Sequence, residues 1–233
     1  MPQNKLTDRF GRTVNYVRLS VTDRCDFRCV YCMAEDMTFL PRQQVLTLEE
    51  IARVARNFVD LGTEKIRLTG GEPLVRKDIL ELVKEIGTYG LRDFAMTTNG
   101  SQLPTMAEPL RKAGMHRLNI SLDSLDAEKF HNITRTGKLS HVLDGIDAAR
   151  EAGFRGIKIN TVVMKGRNDE EVPELVEFAR KKNVDITFIE EMPLGEISEH
   201  DRGLALCTSE EVRDIIRKHH ELVPATEDTG GPA

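Results

Sequence analysis

Six short runs in this chain change character at every second residue, and that alternation limits the fold more than any other feature. The runs are Asn15–Val21, Lys65–Thr69, Arg92–Thr97, His116–Ser121, Gly156–Val162 and Val184–Glu190. A period of two marks β-strands, whose successive side chains point to opposite faces. One set of positions is apolar: Val17, Leu19, Val21, Ile66, Leu68, Leu118, Ile120, Leu122, Ile157 and Ile159. The other is polar or cationic: Arg18, Ser20, Arg67, Thr69, Thr97, Asn99, Asn119, Ser121, Asp123, Lys158 and Asn160.

Amphipathic helical patterns separate the strands. Leu48, Ile51, Ala52, Ala55, Phe58 and Val59 share one helical face behind a capping box, Thr47-Leu-Glu-Glu50. Ile79, Leu82, Val83 and Ile86 form the next stripe. Further helices are expected near Thr105–Ala113, Leu139–Ala152, Asn168–Lys181 and Thr208–Lys218. Strand followed by helix, repeated along the chain, implies a parallel sheet with helical crossovers. Parallel strands covered on both faces are apolar nearly throughout, and these are not. The apolar set must face the helices, which leaves a polar opposite face. A closed eight-stranded barrel packs its interior with branched apolar side chains. The expected fold is therefore α/β: an incomplete, open six-stranded parallel β/α barrel whose polar lumen is a site rather than a core.

The length of 233 residues suits one such unit. Residues 1–195 are expected to form the barrel core, 196–225 a C-terminal helix packed on it, and 226–233 a loose tail. A net charge of −5 speaks against a nucleic-acid coat. The sequence has no apolar run long enough for a membrane helix, and its start lacks an apolar signal core. The four cysteines, three of them crowded together, do not form a disulfide framework. A reducing compartment follows, most simply the cytoplasm.

Those crowded cysteines are Cys25, Cys29 and Cys32, spaced C-x3-C-x2-C on the loop after the first strand. Three thiolates can hold three irons of a four-iron cluster and leave the fourth iron open to a small molecule. The plainer alternatives are a zinc knuckle or packed cysteines. Structural zinc takes four ligands, and the remaining Cys207 reads as a small residue packed beside a helix start. Leu68-Thr-Gly-Gly-Glu-Pro73 follows the second strand. Its glycines permit close backbone approach to a ligand, and Glu72 suits an ammonium group; the plainer alternative is a tight turn. Asp123, Asp126 and Glu190 stand out as acids that could look like an acid–base pair.

The cysteine spacing, with Tyr31 before the last cysteine and a Gly-Gly-Glu after the second strand, resembles the radical S-adenosylmethionine (SAM) enzymes. A longer ordered set resembles the GTP 3′,8-cyclases of molybdenum-cofactor synthesis, from about Leu6 to Gly195. It comprises Tyr16–Asp23, Ile66–Leu74, Thr97–Gly100, Asn119–Asp126, Ile157–Thr161 and Phe188–Pro193. The resemblance implies a radical SAM core with one [4Fe-4S] cluster on Cys25, Cys29 and Cys32. It implies SAM contacts at Tyr31, Gly71, Ser121 and Met192, and GTP contacts at Arg18, Arg67, Thr97 and Lys158. The implied reaction converts GTP to (8S)-3′,8-cyclo-7,8-dihydroguanosine 5′-triphosphate through a 5′-deoxyadenosyl radical. The implied partners are GTP, a reduced flavodoxin-type electron donor and a second copy in a homodimer, with no nucleic acid and no membrane.

The residues support part of this independently. Arg18, Arg67 and Lys158 come from different strands yet belong to the same inward set, and converging cations suit a triphosphate. The plainer alternative is a surface salt bridge for each. Two other readings stay open: a radical SAM enzyme of different substrate, and a non-catalytic iron–sulfur or zinc protein. The family carries a second cysteine triad near its C-terminus, and no cysteine follows Cys207 here. The expectation is a chain carrying the radical-generating portion, with Thr229-Gly-Gly-Pro-Ala233 matching an internal segment of the family.

Overall fold

The computed structural model describes residues 5–34, 36–192, 197 and 200–225. The expected tail at 226–233, and Pro193 and Gly195 of the ordered motifs, lie outside these residues. The alternating runs form β1 (Tyr16–Ser20), β2 (Lys65–Thr69), β3 (Asp93–Thr98), β4 (Arg117–Ser121), β5 (Gly156–Val163) and β6 (Asp185–Glu190). They make one sheet in the order β1-β2-β3-β4-β5-β6, and every pairing is parallel. Among the described residues β1 and β6 do not pair, so the barrel is open, as the strand pattern required.

The helices are α1 (Leu48–Asp60), α2 (Ile79–Gly87), α3 (Leu103–Lys112), α4 (Ala127–Thr134), α5 (Leu139–Glu151), α6 (Val172–Lys182), α7 (Arg202–Ala205) and α8 (Ser209–Arg217). Both capping boxes form, at Thr47 with Glu50 and at Thr208 with Glu211. Helix α3 starts at Leu103, ahead of the expected Thr105, because Pro104 sits in the first turn, where a missing N–H costs nothing. Helix α6 starts later than the expected Asn168. That side chain is instead a buried latch: it accepts from Met164 N–H and donates to the carbonyls of Asp123 and Val162.

Sequence periodicity missed α4. It has eight residues, and Phe130 and Ile133 are its only large buried apolar side chains. Its start was nonetheless written in the chain, since Asp126 caps it by accepting from the N–H groups of Glu128 and Lys129.

The apolar strand positions pack against the helices. Ile66, Leu68, Leu118, Ile120, Ile157 and Ile159 are buried in one cluster with Leu82 and Ile86 of α2, Leu110 of α3 and Val142 and Ile146 of α5. That burial fixes register, because a slip by one residue would turn the cationic set into this core. The strand pairings stack the inward side chains in tiers. Arg18, Arg67, Ala95, Arg117 and Gly156 make the lower tier, toward the amino ends of the strands. Thr97, Asn119, Lys158 and Asp185 make the middle tier. Ser121, Asn160 and Thr187 make the upper tier. Successive tiers lie roughly 6–7 Å apart, two residues along a strand.

Candidate active site

The cysteine loop leaves the carboxyl end of β1 and is held on several sides. Arg28 N–H and Val30 N–H donate to the carbonyls of Thr134 and Ile133 at the end of α4. Phe27 meets Phe130 of α4 edge to face, with ring centroids 6.0 Å apart. The helix that periodicity missed is thus the bed of the triad. Cys32 N–H and Met33 N–H both donate to the Cys29 carbonyl, folding the second half of the loop into a turn. All three thiols are free.

A second clamp comes from the turn after β3. Asn99 donates one amide N–H to Asp26 Oδ1 at 2.6 Å and accepts from Ser101 N–H at 3.0 Å. Its nitrogen also lies 3.9 Å from Cys25 Sγ, while Phe27 N–H donates to the same sulfur at 3.4 Å. Ser101 Oγ donates to Asp26 Oδ2 at 2.7 Å. Burial pushes the Cys25 thiol up to about 11, against the Phe27 N–H. Burial also raises Cys29 well above its ordinary value, and raises Cys32 against the pull of Arg202. Iron binding must therefore displace protons from these thiols.

The donor set fits a cluster. Three sulfurs share one loop, and N–H groups face one of them. Among the described residues no three ligating side chains converge closely enough for a single ion. A cube-shaped cluster does not need that, since each cysteine binds a different iron. Cys207 does not join the triad's loop. It is 1% exposed and packs in an apolar cluster with Val163, Val172, Val212 and Ile216.

The Gly-Gly-Glu segment shows two things its sequence did not, and the second corrects the reading of Glu72. First, the glycines approach the cysteine loop. A Cβ on Gly71 would lie 2.3 Å from the Arg24 carbonyl oxygen, and one on Gly70 would lie 2.4 Å from that of Thr22. Gly71 N–H and Glu72 N–H donate to those same carbonyls at 2.8 and 2.7 Å. Gly71→Ala is expected to displace Arg24 and Cys25 and to lower cluster occupancy, read as iron per chain after reconstitution. Second, Glu72 is fully buried, and protein donors fill both its oxygens. Leu74 N–H and Thr98 Oγ1 donate to Oε1, and Asn99 N–H donates to Oε2. Glu72 ties the end of β2 to the end of β3 and is not presented to an ammonium group. Composition identified a charged residue, but not the direction in which it points.

In the lower and middle tiers, Arg18, Arg67 and Lys158 make no ion pair among the described residues. Arg18 Nε donates to the Tyr16 hydroxyl at 3.1 Å, and both arginines lie over the Tyr16 ring. Arg67 Nε is buried without a hydrogen-bond partner. Burial depresses the pKa of Arg67, with Arg18 and Arg117 adding to the effect. Arg117 shares this tier and was overlooked in the sequence, although its parity matches Asn119. It is neutralised by Asp93, whose Oδ1 accepts from its Nε at 2.9 Å.

At the upper end, the Tyr31 hydroxyl donates to Asp123 Oδ2 at 2.8 Å, and Val162 N–H donates to Oδ1 at 2.9 Å. Burial lifts the Asp123 carboxyl to about 6. Two of the three conspicuous acids serve as hydrogen-bond acceptors and the third as a cap: Asp123 holds Tyr31, Asp126 caps α4, and Glu190 accepts from Ser209 N–H. Ser121 lies half-buried in the upper tier, and Met192 is 59% exposed just beyond β6. The sequence reading also missed a buried group beside the loop. His200 Nε2 lies 2.7 Å from Glu191 Oε2, and Arg202 Nε donates to Glu191 Oε1 at 3.2 Å. The Arg202 guanidinium also reaches the Tyr31 carbonyl at 3.5 Å.

Comparison with known proteins now bears on this geometry. The Radical SAM superfamily model matches residues 19–179. A GTP 3′,8-cyclase of Marinobacter nauticus is 89% identical over the whole chain, which spans 71% of that relative's length. A GTP 3′,8-cyclase of Pseudomonas putida is 62% identical over 236 aligned positions, again with 71% of its length covered. The chain belongs to the GTP 3′,8-cyclases of the radical SAM superfamily. Solved structures share the architecture of this cyclase. Streptococcus suis SuiB bound to S-adenosylmethionine superposes with a TM-score of 0.72 at 20% identity, covering 88% of this chain and 48% of that one. TYW1 with a lysine-pyruvate adduct superposes with a TM-score of 0.61 at 16% identity, covering 88% and 72%. Membership makes the chain a radical SAM lyase and assigns it a four-iron cluster and SAM as cofactors.

Proposed function

We propose that this cyclase holds its cluster on Cys25, Cys29 and Cys32, its SAM against Tyr31, Gly71, Ser121 and Met192, and its GTP on Arg18, Arg67, Thr97 and Lys158. One observation carries the substrate half of this reading. Three cations face one lumen with no carboxylate partner among the described residues, and one has a buried, unbonded Nε. Arg18 is exposed and Arg67 and Lys158 are half-buried, so the cations stay open to an anion, and a buried donor such as Arg67 Nε is costly to leave unbonded. The arginines offer forked donors to phosphate oxygens, and Lys158 adds a point charge one tier higher.

When bound, a cluster on Cys25, Cys29 and Cys32 together with SAM would supply one-electron chemistry directed at the ribose C3′–H of the nucleotide. The chain's own residues orient the substrate. The lower tier anchors the phosphates and so sets the height of the ribose. Thr97 and Lys158 flank the middle tier, and Ser121 stands roughly 6–7 Å above it, on the side of the cysteine loop. The Tyr31–Asp123 bond and the Arg202 contact fix the segment before Cys32. The cysteines form no disulfide, which suits a reducing, cytoplasmic setting, and we assign the electron supply to a flavodoxin-type reductant from the family resemblance.

Calorimetric titration with GTP tests the substrate assignment. Arg67→Ala and Lys158→Ala are each expected to weaken GTP binding about 10- to 100-fold, as loss of a charge-assisted hydrogen bond does. Neither should lower the melting temperature appreciably, because neither cation is paired. Unchanged GTP affinity in both variants would show that the lumen serves another substrate.

A further inference from the structure

Asn119 stands at the middle of the lumen and is 3% exposed, yet its carboxamide oxygen has no hydrogen-bond partner. Other buried polar side chains nearby are bonded. The Asn168 amide makes three bonds, Asn99 bonds at both ends, and both Glu72 oxygens are filled. Buried polar atoms left unbonded are rare and costly. Among the described residues, the inner face of the sheet carries two such atoms, Arg67 Nε and Asn119 Oδ1. The first is a donor, which suits phosphate. The second is an acceptor between Thr97 and Lys158 and needs the opposite chemistry.

A carboxamide oxygen can only accept a hydrogen bond. A fully ionised triphosphate, the form that the cations favour, offers no donor to it. With phosphates on the Arg18–Arg67 tier, the first donor-bearing part of the nucleotide at the next tier is the sugar. We propose that Asn119 reads the ribose: its Oδ1 accepts a hydrogen bond from a sugar hydroxyl and makes the site select ribonucleotides over deoxyribonucleotides. This inference rests on the reading that GTP occupies the lumen.

The test uses the chain with its cluster reconstituted anaerobically and SAM present, titrated with GTP, 2′-deoxy-GTP and 3′-deoxy-GTP. The wild type is expected to bind GTP about 10- to 100-fold more tightly than one of the deoxy analogues. Asn119→Leu, close in size, should bring that ratio to about one by weakening GTP binding while leaving the analogue unchanged. Removing an orphaned polar group should also leave the nucleotide-free melting temperature equal or higher. Asn119→Ser should show the same loss of discrimination and serves if the Leu variant is insoluble. An unchanged ratio in the variants overturns the assignment. So does an equal loss for all three nucleotides with a lowered melting temperature, which is the mark of a structural residue. If the wild type binds none of the nucleotides, the lumen reading itself fails. Wild-type GTP binding with an unaltered ratio in the variants would strike Asn119 alone.

Discussion

Cys29→Ala is expected to leave a folded protein that binds little iron and forms no detectable 5′-deoxyadenosine from SAM. Two features of the structure argue that the fold survives. The loop is pinned by main-chain bonds from Arg28 and Val30 to the end of α4, and by the Phe27–Phe130 contact. None of these uses the Cys29 sulfur. A three-thiolate cluster, by contrast, has no spare ligand on the loop, so losing one thiol removes an iron site. Iron and sulfide per chain after reconstitution, the electron paramagnetic signal on reduction, and chromatography of 5′-deoxyadenosine give the readouts. Cys207→Ala, in its apolar cluster, should leave all three unchanged. Full iron content and 5′-deoxyadenosine formation in Cys29→Ala would contradict the ligand assignment.

Glu72→Ala is expected to produce the largest loss of stability, about 3 kcal/mol or more at neutral pH. The substitution strips partners from Leu74 N–H, Asn99 N–H and Thr98 Oγ1 at once. Each buried group left unbonded costs about 1–3 kcal/mol. Urea unfolding measures the loss, and a change below about 1 kcal/mol would mean that water replaces the carboxylate. Glu72 also predicts a pH dependence. Burial is the main cause that raises its carboxyl from 4.5 to about 7, with nearby Asp26 adding and the three donors opposing. Between those values the folded state holds the proton more tightly than the unfolded chain. The proton-linked part of its contribution, separate from the three accepted hydrogen bonds, is therefore fully present below pH 4.5 and is lost as pH rises toward 7. Asp123, raised to about 6, acts with the same sign. Glu72→Gln should flatten the decline, and an identical pH profile in that variant would assign the slope to other groups.

The parts of this fold legible in the sequence are those written in local repetition. Ile66, Leu68, Leu118, Ile120, Ile157 and Ile159 alternate with Arg67, Asn119 and Lys158 within a few residues, so sidedness and an open barrel could be read directly. The triad was equally visible, because its spacing is local. Contacts between distant segments were not. Asn99 reaches Asp26 across 73 positions, and Tyr31 reaches Asp123 across 92. No periodicity marks such pairs. Glu72 was misread for a related reason: its partners, Thr98 and Asn99, arrive from the next strand. Helix α4 escaped notice because two apolar residues make too short a stripe, even though Asp126 gave a usable cap signal.

The central claim joins a radical source at the mouth of the barrel to a nucleotide held on cations below it. Isotope transfer tests that junction most directly. The reconstituted chain is reduced with SAM and GTP carrying deuterium at C3′, and the 5′-deoxyadenosine is analysed by mass spectrometry. Deuterium in the product is the predicted result, and Arg67→Ala should diminish it. 5′-Deoxyadenosine formed without deuterium would contradict the account.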